Sequence, residues 1–166
     1  MNINKSIAQI ERLIKDPSYG LPEEIFYLVS RITPLINVDL LIHNKNGETL
    51  LTWRGGDATS KPGWHIPGGI VRYKEKIADR IHAVAKTELD SKIIFEDNPL
   101  AINEIIIKQI KNRGHFISLL YPCQLLEGPN PKNEFKSGIP NLGEWSWHNK
   151  LPKQLIATQN IYKKYL

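Results

Sequence analysis

The stretch GWHIPGGIVRYKEKIADRIHAVAKTEL, residues 63–89, decides the fold. Its first part, Trp64 to Gly69, indicates a short strand that ends in a Pro-Gly-Gly turn, because proline and glycine interrupt regular structure. From about Lys76 to Leu89, apolar residues recur at helical spacing. The stretch therefore predicts a strand, a loop and a helix in direct succession.

The predicted helix carries one carboxylate on its apolar side. At about 100° per residue, Glu88 lies within about 40° of Ile81 and Val84 around the helix axis. An unpaired buried carboxylate is costly, so Glu88 either reaches solvent beyond the last turn or meets a cation. The polar residues cluster on the opposite side, which is typical of a solvated face: Glu75, Asp79, His82 and Lys86.

The segments around this stretch predict a single α/β domain. Two helices in residues 1–32 precede the sheet, and residues 34–54 indicate a β-hairpin whose turn lies at Asn44 to Gly47. A glycine-rich loop follows over residues 55–63. Further strands are predicted at 92–96, 101–110, 115–125 and 144–149, and a closing helix at 152–166.

Composition narrows the classes of function. The 166 residues carry a formal charge of +5, which suits an anionic ligand, but no basic run interleaved with aromatic residues indicates nucleic-acid binding. No apolar run reaches the roughly 18 residues needed to span a bilayer, so we expect no membrane insertion. The single cysteine, Cys123, cannot form an intrachain disulfide and predicts a buried inert thiol in a cytoplasmic protein.

The spacing of one glycine and two glutamates resembles the Nudix box. Gly69, five intervening residues, Glu75 and then Glu88 thirteen positions later fit the frame of that loop-helix-loop motif. The remaining charged and glycine positions of the motif are replaced, including its arginine, two of its metal-binding glutamates and its last glycine: Ala83, Val84, Thr87 and Asp90.

Beyond the box, the chain is similar to the GDP-mannose mannosyl hydrolases, a Nudix branch that also lacks those glutamates. The resemblance implies a Nudix fold, an α/β/α sandwich with a central mixed β-sheet. In that arrangement residues 1–32 form helices packed on a Nudix domain of residues 33–166. The similar segments are LPEEIFYLVSRI, TPLINVDLLIHN, GETLLTWR, GWHIPGG, RGHFISLLYPCQL and EWSW.

The same resemblance implies a site for Mg²⁺ or Mn²⁺. The Gly68 carbonyl and the Glu88 carboxylate match metal ligands, and Asn141 stands where the family has a metal-binding glutamine. Oxygen donors of this kind suit a hard cation, with substrate phosphates completing the coordination. The alternative for Asn141 is an ordinary loop residue.

Three further residues match, or lie near, positions that bind the substrate in the family. Arg54 matches an arginine expected to hold a diphosphate, because its planar guanidinium suits phosphate oxygens. Asp39 matches an aspartate in the corresponding strand, and Arg72 lies two residues from the position of a leaving-group arginine, occupied here by Ile70. The alternatives are an edge arginine for Arg54 and a solvent-facing carboxylate for Asp39.

The proton acceptor is the largest departure from the family. Leu142 stands where the family has its histidine, so His115 or His65 would have to take that role. For either histidine, the alternative is a hydrogen-bonded strand residue.

We therefore expect a divalent-metal-dependent hydrolase of a nucleoside diphosphate-sugar such as GDP-mannose, or of a related nucleoside diphosphate derivative. The alternative is a catalytically impaired Nudix domain that binds a nucleotide as a sensor or assembly partner. The N-terminal helices are compatible with a homodimer.

Overall fold

A computed structural model of the protein describes residues 2–56 and 61–166; part of the predicted glycine-rich loop, residues 57–60, lies outside them. The helices are α1 (Ile3–Glu11), α2 (Glu23–Ile32) and α3 (Ile77–Leu89), and short 3₁₀ helices occur at Pro17–Tyr19, Pro131–Asn133 and Ala157–Tyr162. The strands are β1 (Leu35–Ile42), β2 (Thr49–Arg54), β3 (Gly63–His65), β4 (Gly68–Ile70), β5 (Ile93–Phe95), β6 (Ala101–Ile106), β7 (His115–Leu125) and β8 (Trp145–His148).

The described strands form two sheets. The larger sheet is mixed, with β1 running parallel to β7 and antiparallel to β4, while β5 and β6 both pair with the far edge of β7. The smaller sheet is antiparallel, in the order β3-β2-β8. The predicted mixed α/β architecture is thereby confirmed.

Strand β1 lies at the centre of the mixed sheet and is covered on both faces. Val38, Leu40 and Ile42 pack with α3 on one face, and Leu41 packs with the C-terminal segment on the other. A strand buried on both faces is expected to be apolar throughout. Asp39, 3% exposed, is the polar exception within the buried part of the strand.

The predicted hairpin of β1 and β2 is wrong, although its turn is correct. Gly47 has a φ of 77° and donates its N–H to the Asn44 carbonyl at 3.0 Å. Beyond an isolated bridge between His43 and Thr49, β1 pairs with β4 and β7, and β2 pairs with β3 and β8. The turn signal fixes where the chain reverses, but both hydrogen-bonding edges of β1 are occupied by β4 and β7.

Helix α3 is confirmed over the range that the sequence predicts, and it packs closely on β4. A Cβ on Gly69 would lie 2.7 Å from Val84 Cγ2 and 3.3 Å from Arg80 Cδ, so only glycine fits there. Arg80 also donates two hydrogen bonds to the Glu75 carboxylate, at 2.7 and 2.8 Å, and this pair joins the helix to the loop before it. The loop and helix are thus held as one unit against the sheet.

The predicted closing helix is found over only part of its range, Ala157–Tyr162. This part forms a 3₁₀ helix, and Ile156, Gln159 and Tyr162 are its buried side chains and cap. Residues three apart lie on one face of a 3₁₀ helix, which has three residues per turn. Contacts of Gln159 and Tyr162 with the strands favour this tighter winding.

The two N-terminal helices differ in how they contact the rest of the chain. Helix α1 has no buried residue, whereas α2 buries Ile25 and Ser30 and its Arg31 donates to Asn112 Oδ1 at 2.8 Å. The predicted homodimer through these helices stays a prediction. None of the helices in the described ranges is long and apolar enough to cross a membrane.

The Cys123 thiol should react slowly in the native protein. The side chain is 5% exposed, and burial raises its pKa to about 12, so the reactive thiolate is scarce at neutral pH. With a disulfide reagent such as DTNB at pH 8, we expect little colour from native protein and one equivalent after unfolding in guanidinium. Rapid reaction of the native protein would contradict the burial of Cys123.

Candidate functional site

A cavity of about 400 Å³ opens where the two sheets, the end of α3 and the C-terminal segment meet. Its lining comes from β1, β2, β4, β6 and β7 and from the loop before β8. Glu88, His65 and Arg54 share this cavity, so the fold brings together three predicted site residues that are far apart in sequence.

Glu88 lines the cavity from the last turn of α3. One carboxylate oxygen accepts the backbone N–H of Gly68 at 3.0 Å, and the other lies 2.7 Å from Thr52 Oγ1. The carboxylate therefore meets the mixed sheet through β4 and the smaller sheet through β2. The side chain is 22% exposed, so the carboxylate lies in the cavity wall with part of its surface open to the cavity.

Thr52 connects Glu88 to His65. Its hydroxyl lies 3.1 Å from His65 Nε2, and His65 Nδ1 donates to the Ile66 carbonyl at 2.8 Å. The hydroxyl has one hydrogen, so it donates to an ionised Glu88, or to a neutral His65 when Glu88 carries its own proton. The protonation of Glu88 and the hydrogen bonding of His65 are therefore coupled through Thr52.

Burial sets the ionisation of both groups. Burial raises the pKa of Glu88 to about 7, although the bonds from Thr52 and Gly68 and the charge of Arg54 oppose this. Burial, assisted by the Arg54 charge, lowers the pKa of His65 to about 4. At neutral pH His65 is therefore an uncharged imidazole that can accept a proton.

Gly68 presents its carbonyl on the same side of β4 as Glu88. Gly68 lies opposite Asp39 in the antiparallel register. The ladder hydrogen bonds fall at alternate pairs, where Leu40 N–H donates to the Pro67 carbonyl and Val71 N–H donates to the Ile36 carbonyl, each at 2.9 Å. In such a register the N–H and C=O of Gly68 both point away from β1. That N–H donates to Glu88, so the Gly68 carbonyl faces the same edge of β4 as the carboxylate, and both groups offer oxygen donors there.

These two donors fit a hard divalent cation, but Asn141 does not join them. Asn141 is exposed and bonds Glu144 through both its backbone N–H and its side-chain amide, at 2.9 and 3.0 Å. Among the described residues, no three His, Cys, Asp or Glu side chains cluster as a metal site. A cation at Glu88 and Gly68 would therefore take most of its oxygens from substrate and water.

Asp39 is a buried structural carboxylate. It accepts hydrogen bonds from Asn37 at 2.9 Å, from Tyr162 at 2.5 Å and from Ser118. Burial raises its pKa, and these three donors oppose the rise. A Cβ on Gly68 would lie 2.3 Å from its Oδ1, so the glycine makes room for it. With its oxygens taken by side chains of the fold, Asp39 supports the cavity wall.

Two other predicted residues lie outside the cavity lining. His115 is one residue from Phe116, whose side chain lines the cavity, and successive side chains on a strand point to opposite faces. The His115 imidazole instead meets Glu104 at 3.3 Å. Arg72 is exposed in the loop before α3, where its N–H donates to Glu75 at 2.8 Å. Of the two predicted histidines, His65 alone belongs to the lining.

Solved structures with similar folds share one architecture. A NUDIX hydrolase from Nitrosomonas europaea superposes with a TM-score of 0.54 at 15% identity, covering 70% of this chain and 72% of its own. A UDP-X diphosphatase superposes with a TM-score of 0.57 at 19% identity, covering 98% and 87%. This chain has the Nudix fold.

Sequence comparison gives a more partial match. No protein-family model matches the chain. The low-salt glycan biosynthesis protein Agl8 of Haloferax volcanii is 30% identical over 80 residues, which is 48% of this chain. The chain thus spans about half the length of this curated relative, since the match covers 50% of Agl8.

Sequence reasoning missed two residues that line the cavity, Thr52 and Arg113, and one that supports its wall, Tyr162. Thr52 had a signal, because the two-residue period of a strand puts it on the same face as Arg54. No sequence pattern indicates Arg113, which lines the cavity, or Tyr162, which donates to Asp39. The loop of Arg113 and the 3₁₀ helix of Tyr162 contact the sheet only in the folded chain.

Replacing Tyr162 with Phe should destabilise the protein. The change leaves the buried Asp39 with one hydrogen-bond donor fewer, at a cost of about 1–3 kcal/mol. Urea unfolding measures the difference, and Tyr19→Phe, whose ring is 81% exposed, is the matched control. Equal stabilities of the two variants would contradict the role of Tyr162 in holding Asp39.

Proposed function

We propose that this Nudix domain is a divalent-metal-dependent hydrolase of a nucleoside diphosphate derivative, with a GDP-mannose-like nucleotide-sugar as its substrate. The observation that carries the proposal is the half-buried Glu88 carboxylate, which accepts the Gly68 N–H in a cavity that Arg54 also lines. A buried carboxylate is stabilised in its charged form by a cation, and a diphosphate requires positive charge to bind.

Each of these groups has a defined role in the proposal. Glu88 and the Gly68 carbonyl would hold Mg²⁺ or Mn²⁺. When bound, such an ion neutralises the charge that develops on the departing diphosphate. Arg54 lines the same cavity, and its charge affects the pKa values of both Glu88 and His65. This supports a role for its guanidinium in holding the diphosphate.

His65 is the proton acceptor in this proposal. Its Nδ1 hydrogen is committed to the Ile66 carbonyl, so the neutral ring has its lone pair on Nε2, on the side of Thr52 and Glu88. This fixed tautomer suits a group that takes a proton from water. His115, on the other face of β7, does not share that position.

The names of the similar proteins support the substrate class. One solved neighbour is a UDP-X diphosphatase, and the partial relative Agl8 is a glycan biosynthesis protein. Both names are compatible with a nucleotide that carries a second group.

A second candidate is a Nudix domain that binds such a nucleotide with little turnover. Leu142 and Ile70, which replace the base and an arginine of the mannosyl hydrolases, both line the cavity. Two apolar side chains thus occupy positions where charge would assist the reaction. The rate of hydrolysis separates the two candidates.

Glu88→Gln should remove Mg²⁺-dependent binding of GDP. The amide keeps the size of the side chain but has no charge to offer a cation. Isothermal titration with GDP, with and without Mg²⁺, measures the effect. Asp79→Asn, an exposed change on the same helix, is the control and should bind as the wild type does. Unchanged Mg²⁺ dependence in Glu88→Gln would place the cation elsewhere.

Leu142→His should raise the rate of GDP-mannose hydrolysis. Leu142 borders the cavity, so a histidine there can approach the substrate. A positioned base contributes about 10²- to 10⁴-fold, so a gain of about 10-fold is expected even from an imperfect position. Release of mannose or mannose phosphate gives the rate and the bond that is broken, with Leu151→His, also exposed, as control. No gain over Leu151→His would show that the missing histidine does not limit the rate.

A further inference from the structure

The cavity extends beyond Glu88 to a wall that the proposed reaction does not use. Ile105, Ile107 and Phe116 line this wall, and Arg113 lies beside them. Strands β1 and β7 separate Gly68 in β4 from Ile105 in β6. Three strand spacings correspond to about 14 Å, a length that a nucleoside diphosphate can span.

Helix α2 fixes the backbone of Arg113. The residue has a φ of 57°, in the left-handed region that side chains disfavour. Its N–H donates to the hydroxyl of Ser30 at 3.0 Å, and Ser30 is 5% exposed. The guanidinium carbon lies 6.0 Å from the centre of the Phe26 ring, also in α2. An N-terminal helix thus positions a residue of the cavity.

We infer that this wall binds the nucleobase and that Arg113 selects guanine; the inference rests on the proposed function. A planar base packs well on an apolar surface such as that of Ile105 and Phe116. The guanidinium of Arg113 only donates hydrogen bonds. Guanine presents two adjacent acceptors, O6 and N7, on one edge, whereas adenine presents one acceptor and one donor there. A two-bond contact therefore forms with guanine and not with adenine.

This inference gives helix α2 a role in choosing the nucleobase. Ser30 is a positioning residue, because it holds the backbone of Arg113 and does not line the cavity. Loss of its hydroxyl should affect the choice of base without removing any group that contacts the diphosphate. A purely structural role of Ser30 would weaken all nucleotides alike.

The test is the affinity for GDP, ADP and UDP in the presence of Mg²⁺, measured by isothermal titration. Wild-type protein should bind GDP about 10-fold or more tightly than ADP or UDP. Arg113→Lys keeps the charge but loses the planar fork, so GDP should weaken roughly 10- to 100-fold while ADP changes little. Ser30→Ala should lose part of the preference. Arg12→Gln, an exposed change at the end of α1, should keep it.

The outcomes separate this inference from the proposed function. ADP or UDP binding as tightly as GDP to the wild type overturns the guanine assignment, as does an unchanged preference in a folded Arg113→Lys protein. In both cases the proposed metal-dependent function stands if Glu88→Gln still removes the effect of Mg²⁺. If none of the three nucleotides binds with Mg²⁺ present, the proposed function and the inference fail together.

Discussion

The half-buried position of the Glu88 carboxylate between the two sheets is the constraint on which the rest of the site depends. One oxygen takes the N–H of Gly68 in the mixed sheet, and the other meets Thr52 in the smaller sheet. A single side chain thereby fixes the last turn of α3 between two sheets. Two hydrogen bonds do not offset the loss of water, so the pKa of the carboxyl rises to about 7. A cation would supply the missing stabilisation, and this links the packing of α3 to the proposed chemistry.

Two adjacent glycines make this packing sterically feasible. Gly69 lets α3 approach β4 closely, and Gly68 leaves space for the Asp39 carboxylate on the facing strand. Asp39 in turn binds Tyr162 and so anchors the C-terminal segment against the cavity. The carboxylates of Glu88 and Asp39, which lie on opposite sides of β4, therefore have different roles. Glu88 lies in the cavity with a cation as its proposed partner, and Asp39 is fully engaged by the fold.

The sequence predicts those parts of the fold that depend on local chemistry. The apolar period of α3 and its lone carboxylate are local, and both are found where the pattern indicates. The predicted Pro-Gly-Gly turn is wrong, because Gly68 and Gly69 lie in β4 and pair with β1. The pairing of β1 with β7 joins residues far apart in the chain, so the predicted hairpin fails. The sequence also leaves His115 and His65 as alternative proton acceptors, because it does not show which strand face carries His115. The face of β7 on which His115 lies depends on the register of that strand in the folded sheet.

The central claim is that a divalent cation bridges Glu88 and the Gly68 carbonyl while a nucleoside diphosphate is bound. The most direct test is a crystal structure with Mn²⁺ and GDP, in which anomalous scattering identifies the metal. We expect one ion in direct contact with the Glu88 carboxylate, the Gly68 carbonyl and phosphate oxygens. An ion held by phosphates alone, or at another group of side chains with Glu88 still bonded to Thr52 and Gly68, would contradict the account.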